Sequence, residues 1–366
     1  MKKKKKLLYI VEAMGGGVFT YIVELSNALS EEYDVYIAYA TRKQTPENYK
    51  EYFNDNIHLI EVKNFTRSVK STKDIKAFFE IRKIAKEIKP DIIHLHSSKA
   101  GVLGRWAFGG RKVPVFYTPH GYSFLMESIS KKKRFVYKAI EQVCAIRRCT
   151  TISCSKGEHE ETKKMTSRAI YVNNGINTES LQKMLDKVDV EKNNQFTVFT
   201  LGRICYQKNP KMFNEVAKKL PDVKFVWIGD GELRHELTAP NIEITGWSDR
   251  ETALTYAMSA DAFVLTSLWE GLPMSLLEAM YMKKVCVVSN VIGNKDVIRD
   301  GVNGFVCDDV DKFARDLCYI RDNDCSSMIE KASLDMAEKY NTVVMAKKYD
   351  EIYKNELKKD SRKRSK

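Results

Sequence analysis

The sequence lacks any uninterrupted apolar run of about eighteen residues, the shortest stretch that is typical of a membrane-spanning helix. Its first residues, MKKKKKLLYIVEAM, are basic, but the apolar run behind them is short, contains Glu12 and is followed by no small-residue cleavage site. We therefore interpret this run as a first buried strand and expect a cytoplasmic protein.

The sequence also lacks the cysteine spacing of a zinc site or a redox pair, because none of its eight cysteines forms a CxxC motif. Cys144, Cys149 and Cys154 are five positions apart, and others lie in apolar runs such as KKVCVVSN. Small thiols in such runs are typical of a protein core. We expect neither a disulfide framework nor bound zinc.

Acidic residues are outnumbered, with 48 against 61 basic ones and a net charge of +13. Lysines cluster at 2–6, at 131–133 and in the tail KKDSRKRSK. This balance favours an anionic partner, either nucleic acid, an acidic membrane surface or a phosphorylated ligand. The sequence shows no helix-turn-helix, zinc-finger or aromatic RNA-binding pattern. A membrane leaflet fits the clusters at least as well, since each Lys or Arg near anionic lipid contributes about 1 kcal/mol. For the two tails, simple solubility is the alternative.

A chain of 366 residues exceeds one ordinary core, so we expect two domains. Short apolar runs such as LLYIVEA, DIIHLH, FTVFTLG and AFVLTS alternate with longer amphipathic ones such as IKAFFEIRKIAKEIK and PKMFNEVAKKL. This alternation is typical of α/β domains with doubly wound parallel sheets. We place the first domain at 1–176, the second at 177–340, and a final helix with a basic tail at 341–366. Ligands bind beyond the carboxyl ends of such strands, so two domains that face each other would form a cleft.

Three glycines, Gly15 to Gly17, separate the first predicted strand from the first predicted helix in EAMGGGVFTYIVEL. Glycines at this point let backbone amides approach an anion at the amino terminus of a helix. The pattern is not a GxGxxG fingerprint, because Thr20 and Tyr21 occupy the later positions, and no Lys-Ser or Lys-Thr follows as in a P-loop. An anion site and a plain tight turn are both open interpretations.

A second glycine turn lies in LGRICYQKNP, after a predicted strand that ends near Thr200. Arg203 and Lys208 flank the entry to a helix that we expect to start after Pro210. Two cations at this point can clamp a diphosphate, and solvated surface charge is the alternative. A third glycine turn, WIGDGEL, follows the next predicted strand and favours a ligand site.

His120 follows a predicted strand in FYTPHGYSF, directly before Gly121. A histidine at the carboxyl end of a strand is placed to hydrogen-bond a substrate hydroxyl or a departing charge. We interpret His94 and His96, at alternate positions of another predicted strand, as structural. Two such histidines could bind a metal ion, but no third ligand accompanies them.

Two glutamates, Glu270 and Glu278, flank a Gly-Leu-Pro kink and two turns of a predicted helix in SLWEGLPMSLLEAM. Pro273 suits the first helical turn, and Gly271 is expected to free the chain for the kink. The rise of the helix separates the two carboxylates by about 8 to 12 Å, so one nucleotide-sugar can contact both. Chance placement of a good helix-forming residue is the alternative.

Taken together and in this order, these elements resemble the retaining glycosyltransferases of family 4, which have the GT-B fold. The resemblance is carried by EGLPMSLLEAM, TPHG, VNNGIN, LGR with its later Lys, IGDGEL and GVNGFV, and it extends over essentially the whole chain. It implies two Rossmann-like domains that face each other across a cleft, with the helix VVMAKKYDEIYKNEL returning to the first domain. One departure is Asp296 in SNVIGNKDVI, where many members have glutamate, and it blurs the identity of the donor.

The resemblance also implies roles for individual residues. Glu270 would bind the transferred sugar and Glu278 the ribose, while Arg203 and Lys208 would neutralise the diphosphate. His120 would lie near the sugar, so the catalytic set is His120, Arg203, Lys208 and Glu270. The donor-binding residues would be Gly16, Gly17, Gly202, Gly229, Gly246, Gly271, Leu272, Pro273, Met274, Ser275 and Glu278. No metal or other cofactor is expected.

The implied function is the transfer of a sugar from a nucleotide-sugar, with UDP-sugars favoured, to a growing saccharide on a lipid diphosphate. The subgroup resembles bacterial capsule and exopolysaccharide enzymes, which implies a location in the cytoplasm at the inner face of the membrane and no nucleic-acid partner. Retention without a second carboxylate implies same-face attack, assisted by the departing phosphate. The alternatives are a GT-B nucleotide-sugar 2-epimerase, a basic nucleic-acid-binding protein and a dinucleotide-dependent oxidoreductase, and the missing fingerprint disfavours the last.

Overall fold

The computed structural model describes residues 3–42, 45–66, 71–110, 112–126, 129–190 and 193–364. Lys2 of the first lysine cluster and the side chains of the basic tail from residue 360 onward lie outside this description. The chain divides into two compact units. Unit 1 comprises Met1–Leu125, Ser130–Gly175 and Thr342–Lys366, and unit 2 comprises Met126–Ile129 and Ile176–Asn341.

Within its described residues, unit 1 contains a parallel sheet of seven strands. The strands are β1 Lys5–Met14, β2 Tyr33–Thr41, β3 His58–Glu61, β4 Ile92–His96, β5 Val115–Thr118, β6 Thr150–Ser153 and β7 Ala169–Tyr171. The helices between them are α1 Gly16–Leu29, α2 Ser71–Ile88, α3 Ser98–Phe108, α4 Lys131–Ala145 and α5 Lys156–Lys163. The strand order is β3-β2-β1-β4-β5-β6-β7, so the order reverses between β1 and β4.

The middle of the central strand β1, Leu7 to Val11, is apolar because both of its faces are buried. Leu7, Tyr9 and Val11 pack in one hydrophobic cluster with residues of α1, and Leu8 and Ile10 pack in another with residues of α2. Successive side chains of a strand point to opposite faces, so a strand covered by helices on both sides is a continuous apolar run. The predicted doubly wound α/β class is confirmed.

In the part of unit 2 that the structure describes, a second parallel sheet has six strands. The elements are α6 Thr178–Leu185, β8 Thr197–Leu201, α7 Pro210–Lys219, β9 Lys224–Ile228, β10 Ile242–Ile244, α8 Arg250–Ser259, β11 Ala262–Leu265, α9 Met274–Tyr281, β12 Val285–Ser289, α10 Asn294–Val297, β13 Phe305–Cys307, α11 Val310–Asp322 and α12 Ser326–Lys339. The strand order β10-β9-β8-β11-β12-β13 reverses between β8 and β11.

The last helix, α13 Thr342–Arg364, packs in unit 1. Its Tyr349 and Tyr353 are fully buried in the hydrophobic cluster that contains α1 and one face of β1. Tyr21 Oη donates to Tyr349 Oη at 2.5 Å, and Tyr353 Oη lies 2.6 Å from Nδ1 of His94. The phenol groups of Tyr349 and Tyr353 therefore have hydrogen-bond partners as well as apolar contacts.

No helix in the described ranges is long and apolar enough to cross a membrane. The eight cysteines are free thiols, and five of them are buried in the cores of the two units.

We expect Tyr353→Ala to lower the free energy of unfolding by about 3–5 kcal/mol, because it removes a large buried ring and leaves a cavity. Lys348→Ala, at an exposed position of the same helix, is the matched control and is expected to change it by no more than about 0.5 kcal/mol. Urea-induced unfolding followed by circular dichroism measures both. Equal, small effects of the two substitutions would show that α13 does not stabilise unit 1.

Candidate functional site

The candidate site of unit 2 lies at the carboxyl ends of β8 and β11, the neighbouring central strands between which the strand order reverses. β8 ends at Leu201 and is followed by Gly202, and β11 ends at Leu265 and is followed by Thr266 and Ser267. Loops that leave such a pair of strands run to opposite faces of the sheet, so they leave a crevice for a ligand.

Hydrogen bonds join the loops that follow these two strands. Thr266 Oγ1 donates to the carbonyl oxygen of Lys208 at 2.8 Å. The backbone N–H of Leu268 donates to the carbonyl oxygen of Gln207 at 2.8 Å, and Gln207 Nε2 donates to that of Trp269 at 2.9 Å. Each loop therefore fixes the position of the other.

Glu270 is only 7% exposed, and both oxygens of its carboxylate accept hydrogen bonds from the protein. Oε1 accepts from Lys208 Nζ and from Ser267 Oγ, each at 2.7 Å, and Oε2 accepts from Gln207 Nε2 at 3.3 Å. Pairing and hydrogen bonding offset the cost of burying this charge. The structure thus brings together the predicted residues Lys208 and Glu270 and adds Gln207 and Ser267, which the sequence interpretation missed.

Two glycine turns pack against each other beside this cluster. Gly202 has φ +143° and Gly229 has φ +134°, which side chains rarely allow. A Cβ atom on Gly229 would lie 2.3 Å from the carbonyl oxygen of Gly202, and one on Gly202 would lie 3.5 Å from Cε of Lys208. Gly246, with φ +76°, forms an isolated β-bridge with Gly229. The glycines therefore let three loops approach closely at the carboxyl edge of the sheet.

The second predicted cation, Arg203, pairs with a different carboxylate. Its Nε and Nη2 atoms lie 2.9 and 2.8 Å from Oε2 of Glu232, and its side chain is about one-third exposed at 32%. Arg203 and Lys208 are thus each paired with an acid of unit 2. The sequence interpretation predicted neither pairing.

Glu278 lies on α9 and is paired with Arg250 of α8. Nη2 of Arg250 donates to Oε1 at 2.7 Å and Nη1 donates to Oε2 at 3.1 Å, so the ion pair is bidentate. Glu278 is buried, whereas Arg250 is partly exposed. The sequence interpretation missed Arg250, which stands directly after the N-cap residue of a polar helix start and carries no motif.

The turn before α9 differs in one detail from the expectation. Pro273 is the N-cap residue and Met274 the first helical residue. Gly271 is not among the described glycines that have positive φ, so the turn does not need its conformational freedom. The glycine that is required here is Gly293. Its φ is +87°, and a Cβ atom on it would lie 2.6 Å from the carbonyl oxygen of Gly271. Of the other predicted donor-binding positions, Leu272 and Met274 are buried, and Ser275 is partly exposed.

In unit 1, Gly16 and Gly17 form the exposed start of α1. Gly16 has φ +56°, and a Cβ atom on either glycine would meet no described atom within 4 Å. Open space in front of a helix amino terminus allows an anion to approach the backbone amides.

His120 lies just beyond the end of β5 with a left-handed backbone, φ +56°. Its Nε2 lies 3.1 Å from Nδ1 of His96, and its Nδ1 lies 3.5 Å from Sγ of Cys154. Tyr21 meets the imidazole edge-on, with the ring centroids 4.6 Å apart. Both ring nitrogens therefore have protein partners, although the side chain is partly accessible.

Burial sets the charge of this histidine cluster. Desolvation lowers the pKa of His120 to about 3, and it lowers the pKa values of His94 and His96 well below their ordinary range. The three imidazoles are therefore neutral near pH 7, so His120 is suited to hydrogen bonding and not to charge neutralisation.

Glu158 holds the turn that carries His120. Its Oε1 accepts from the backbone N–H of Gly121 and its Oε2 from that of Cys154, each at 2.7 Å, and the side chain is fully buried. The carboxylate joins the loop after β5 to the end of β6. The sequence interpretation missed Glu158, because an acid in the first turn of α5 is ordinary at a helix start.

Comparison with protein-family models gives two matches along the chain. Residues 15–180 match the model described as Glycosyltransferase Family 4, and residues 195–323 match the model described as Glycosyl transferases group 1. These ranges lie mainly in unit 1 and unit 2, respectively.

Individual proteins give similar matches. The chain is 32% identical over 338 residues to an Escherichia coli UDP-Gal:alpha-D-GlcNAc-diphosphoundecaprenol alpha-1,3-galactosyltransferase, covering 83% of this chain and 85% of the relative. Sucrose-phosphate synthase (tll1590) from Thermosynechococcus elongatus has a similar structure, with a TM-score of 0.80 at 14% identity over 96% of this chain and 99% of that one. Anabaena Alr3699/HepE in complex with UDP and glucose has a TM-score of 0.75 at 15% identity, over 96% and 100% of the two chains.

The histidine cluster generates a prediction about pH. The folded state keeps these imidazoles neutral, whereas in the unfolded chain they take up protons below their ordinary pKa of 6.5. The free energy of unfolding should therefore be unaffected by them above pH 7 and fall as the pH drops from 6.5 toward 3. Each histidine contributes a slope of up to about 1.4 kcal/mol per pH unit.

Urea-induced unfolding at a series of pH values between 5 and 7.5 tests this, with His120→Asn as the comparison, because asparagine tolerates a left-handed backbone. The variant should show a slope that is smaller by an amount approaching about 1.4 kcal/mol per pH unit toward pH 5, and a curve parallel to the wild type above pH 7. Parallel curves over the whole range would mean that His120 is not held neutral by the fold.

Proposed function

Because this chain belongs to glycosyltransferase family 4, is a glycosyltransferase and has the GT-B fold, we propose that it transfers a sugar with retention from a UDP-sugar to a lipid-diphosphate-linked saccharide. The donor and acceptor classes follow the Escherichia coli relative, whose name specifies UDP-Gal and a diphosphoundecaprenol-linked sugar. The product would enter capsule or another bacterial cell-surface glycan. Family membership favours transfer over the epimerase, nucleic-acid-binding and oxidoreductase alternatives.

The observation that carries the proposal is the contact between Lys208 and Glu270 at the reversal point of the second sheet. A nucleotide-sugar combines an anionic diphosphate with a polyol, so its site needs a cation and a hydrogen-bond acceptor side by side. Lys208 supplies the first and Glu270 the second, at a separation of 2.7 Å. The donor's bond to be broken joins these two parts of the ligand.

Glu270 positions the sugar in this proposal and does not attack it. Each of its oxygens already accepts a protein donor, from Lys208 and Ser267 on one side and Gln207 on the other. These contacts hold the carboxylate in one orientation and lower its nucleophilicity, while its remaining lone pairs can accept from sugar hydroxyls.

The leaving nucleoside diphosphate takes the charge that develops during transfer. The bond from the sugar C1 to the β-phosphate oxygen breaks, the bond from C1 to the acceptor oxygen forms on the same face, and the acceptor proton passes to the departing phosphate. In this proposal Lys208, Arg203 and the backbone amides at the start of α9 stabilise that phosphate. Groups fixed before the reaction stabilise such charge without having to reorganise.

Glu278 would bind the ribose hydroxyls of the donor. Its bidentate pair with Arg250 fixes the carboxylate and partly offsets its charge, so the nucleotide phosphates are repelled less.

His120 of unit 1 is proposed to hydrogen-bond the substrates as a neutral imidazole. Because the proposed acceptor is linked to a lipid, we propose that the protein acts at the inner face of the cell membrane and has no nucleic-acid partner.

We further propose that catalysis needs no metal ion, because Arg203 and Lys208 supply the positive charge that a divalent cation supplies in other transferases. In the described residues no group of three His, Cys, Asp or Glu side chains is placed to hold one. Transfer activity is therefore expected to be unchanged by excess EDTA. Loss of activity in EDTA that Mg²⁺ or Mn²⁺ restores would refute metal independence, and the assay measures release of UDP.

Substitution of Glu270 and of Glu278 should have different effects on turnover and on UDP binding. Glu270→Gln should depress turnover by roughly ten- to over a hundredfold, because a charge-assisted bond to the sugar worth about 1.5 to 3 kcal/mol is weakened. Binding of free UDP should be unchanged or tighter, since Lys208 loses its internal carboxylate partner. Glu278→Gln should instead weaken UDP and UDP-sugar alike, by a similar factor, because both carry the ribose.

Calorimetric titration of UDP and turnover measurements on each variant decide this, with Glu251→Gln as a matched control. Glu251 is exposed on α8 beside Arg250, and its substitution should change neither quantity. Wild-type binding and turnover in both Glu270→Gln and Glu278→Gln would remove the donor site from this position.

A further inference from the structure

Helix α4 presents several large apolar side chains to solvent, whereas its side against the protein carries the buried Glu141. The exposed apolar residues have large accessible fractions: Phe135 75%, Val136 51%, Ile140 39%, Val143 51% and, at the carboxyl end, Ile146 78%. At about 100° per residue they fall within an arc of about 140° on one side of the helix. We call these five residues the α4 patch. An ordinary surface helix has the opposite arrangement.

The inward side of α4 is held by charges. Glu141 is buried, pairs with Arg105 at 2.6 Å and accepts from Tyr117 Oη at 3.0 Å. Arg134 Nε donates to the carbonyl oxygen of Phe124 at 3.0 Å. The helix cannot turn its patch inward without breaking these buried contacts, so the apolar face is fixed toward solvent.

Cations surround the patch. The segment 131–148, KKKRFVYKAIEQVCAIRR, has seven basic residues, and its single acid is the buried Glu141. Lys131, Lys132 and Lys133 occupy the first turn of the helix, which contains no acid. Positive charge at a helix amino terminus opposes the helix dipole and destabilises the helix. Two local rules are therefore broken in one element, which is a common property of functional surfaces.

An aromatic side chain extends the patch onto the neighbouring helix. Trp106 of α3 is 46% exposed, and its Nε1 lies 3.3 Å from Sγ of Cys144. The guanidinium of Arg147 stacks over the Trp106 ring, 4.8 Å from its centroid. An amphipathic ring beside a cation is typical of the boundary between headgroups and acyl chains.

From these observations we propose that the α4 patch is the surface by which the protein binds an anionic lipid bilayer. The apolar side chains enter the headgroup region, and the surrounding cations contact lipid phosphates. A second copy of the chain is a poor occupant, since it would bring a second set of seven cations against the first. The inference adds a defined surface to the membrane location proposed above, and its test does not require sugar transfer.

The test is co-sedimentation of the full chain with vesicles of phosphatidylglycerol and phosphatidylcholine in equal parts, compared with pure phosphatidylcholine. The wild type should bind the anionic vesicles, and salt should weaken the binding. Phe135→Ser combined with Ile146→Ser should reduce the partition coefficient by about tenfold or more. Replacing Lys131, Lys132 and Lys133 by Gln should have an effect of at least similar size.

Phe79→Ser is the matched control, because Phe79 of α2 is 60% exposed in the same unit and should leave binding unchanged. Circular dichroism and UDP binding of every variant show that the fold and the donor site are intact. Wild-type vesicle binding by the double variant would overturn the proposal. So would a dimer in sedimentation velocity that the double substitution dissociates. A protein that binds vesicles through α4 but transfers no sugar would contradict only the proposed function.

Discussion

The proposed donor site depends on one physical constraint, the burial of the Glu270 carboxylate. A buried charge has to be paired and hydrogen-bonded, and its partners Lys208 and Ser267 come from two loops that are distant in sequence. The loops meet because they leave adjacent strands at the point where the strand order reverses. Satisfying one carboxylate therefore fixes both loops, and a cation is held in place before any ligand arrives.

In unit 1 a buried carboxylate, that of Glu158, also joins two loops. The buried Glu158 accepts the backbone N–H groups of Gly121 and Cys154, so one carboxylate joins the loops after β5 and β6. His120 directly precedes Gly121, and its Nδ1 lies 3.5 Å from Sγ of Cys154, so this anchoring helps to keep its left-handed backbone. In both units a buried acid holds the residue that follows a central strand and faces the crevice of its sheet.

Much of the fold could be predicted from the sequence, because parallel strands that are covered on both faces appear as continuous apolar runs. The pairing of Lys208 with Glu270 could not, since 62 residues separate them and only the strand order brings them together. The positions of His120 and Lys208 after their strands were predictable, but their hydrogen-bond partners were not. The orientation of helix α4 could not be predicted for another reason: the helical spacing of its apolar residues does not say whether they face the core or solvent.

The pairing of the site cations also bears on turnover. Lys208 without a carboxylate partner would bind a nucleoside diphosphate more tightly, and the product would leave more slowly. With Glu270 at 2.7 Å, part of the lysine's charge is already satisfied, so under the proposed function free UDP would gain less from the contact than the bare charge suggests. During the proposed transfer the phosphate gains negative charge, and the same lysine would interact with it more strongly than with the intact donor. In the proposed mechanism, an internal partner would thus weaken binding of the ground state and product while leaving the cation in place for the transition state. Catalysis depends on that difference in binding.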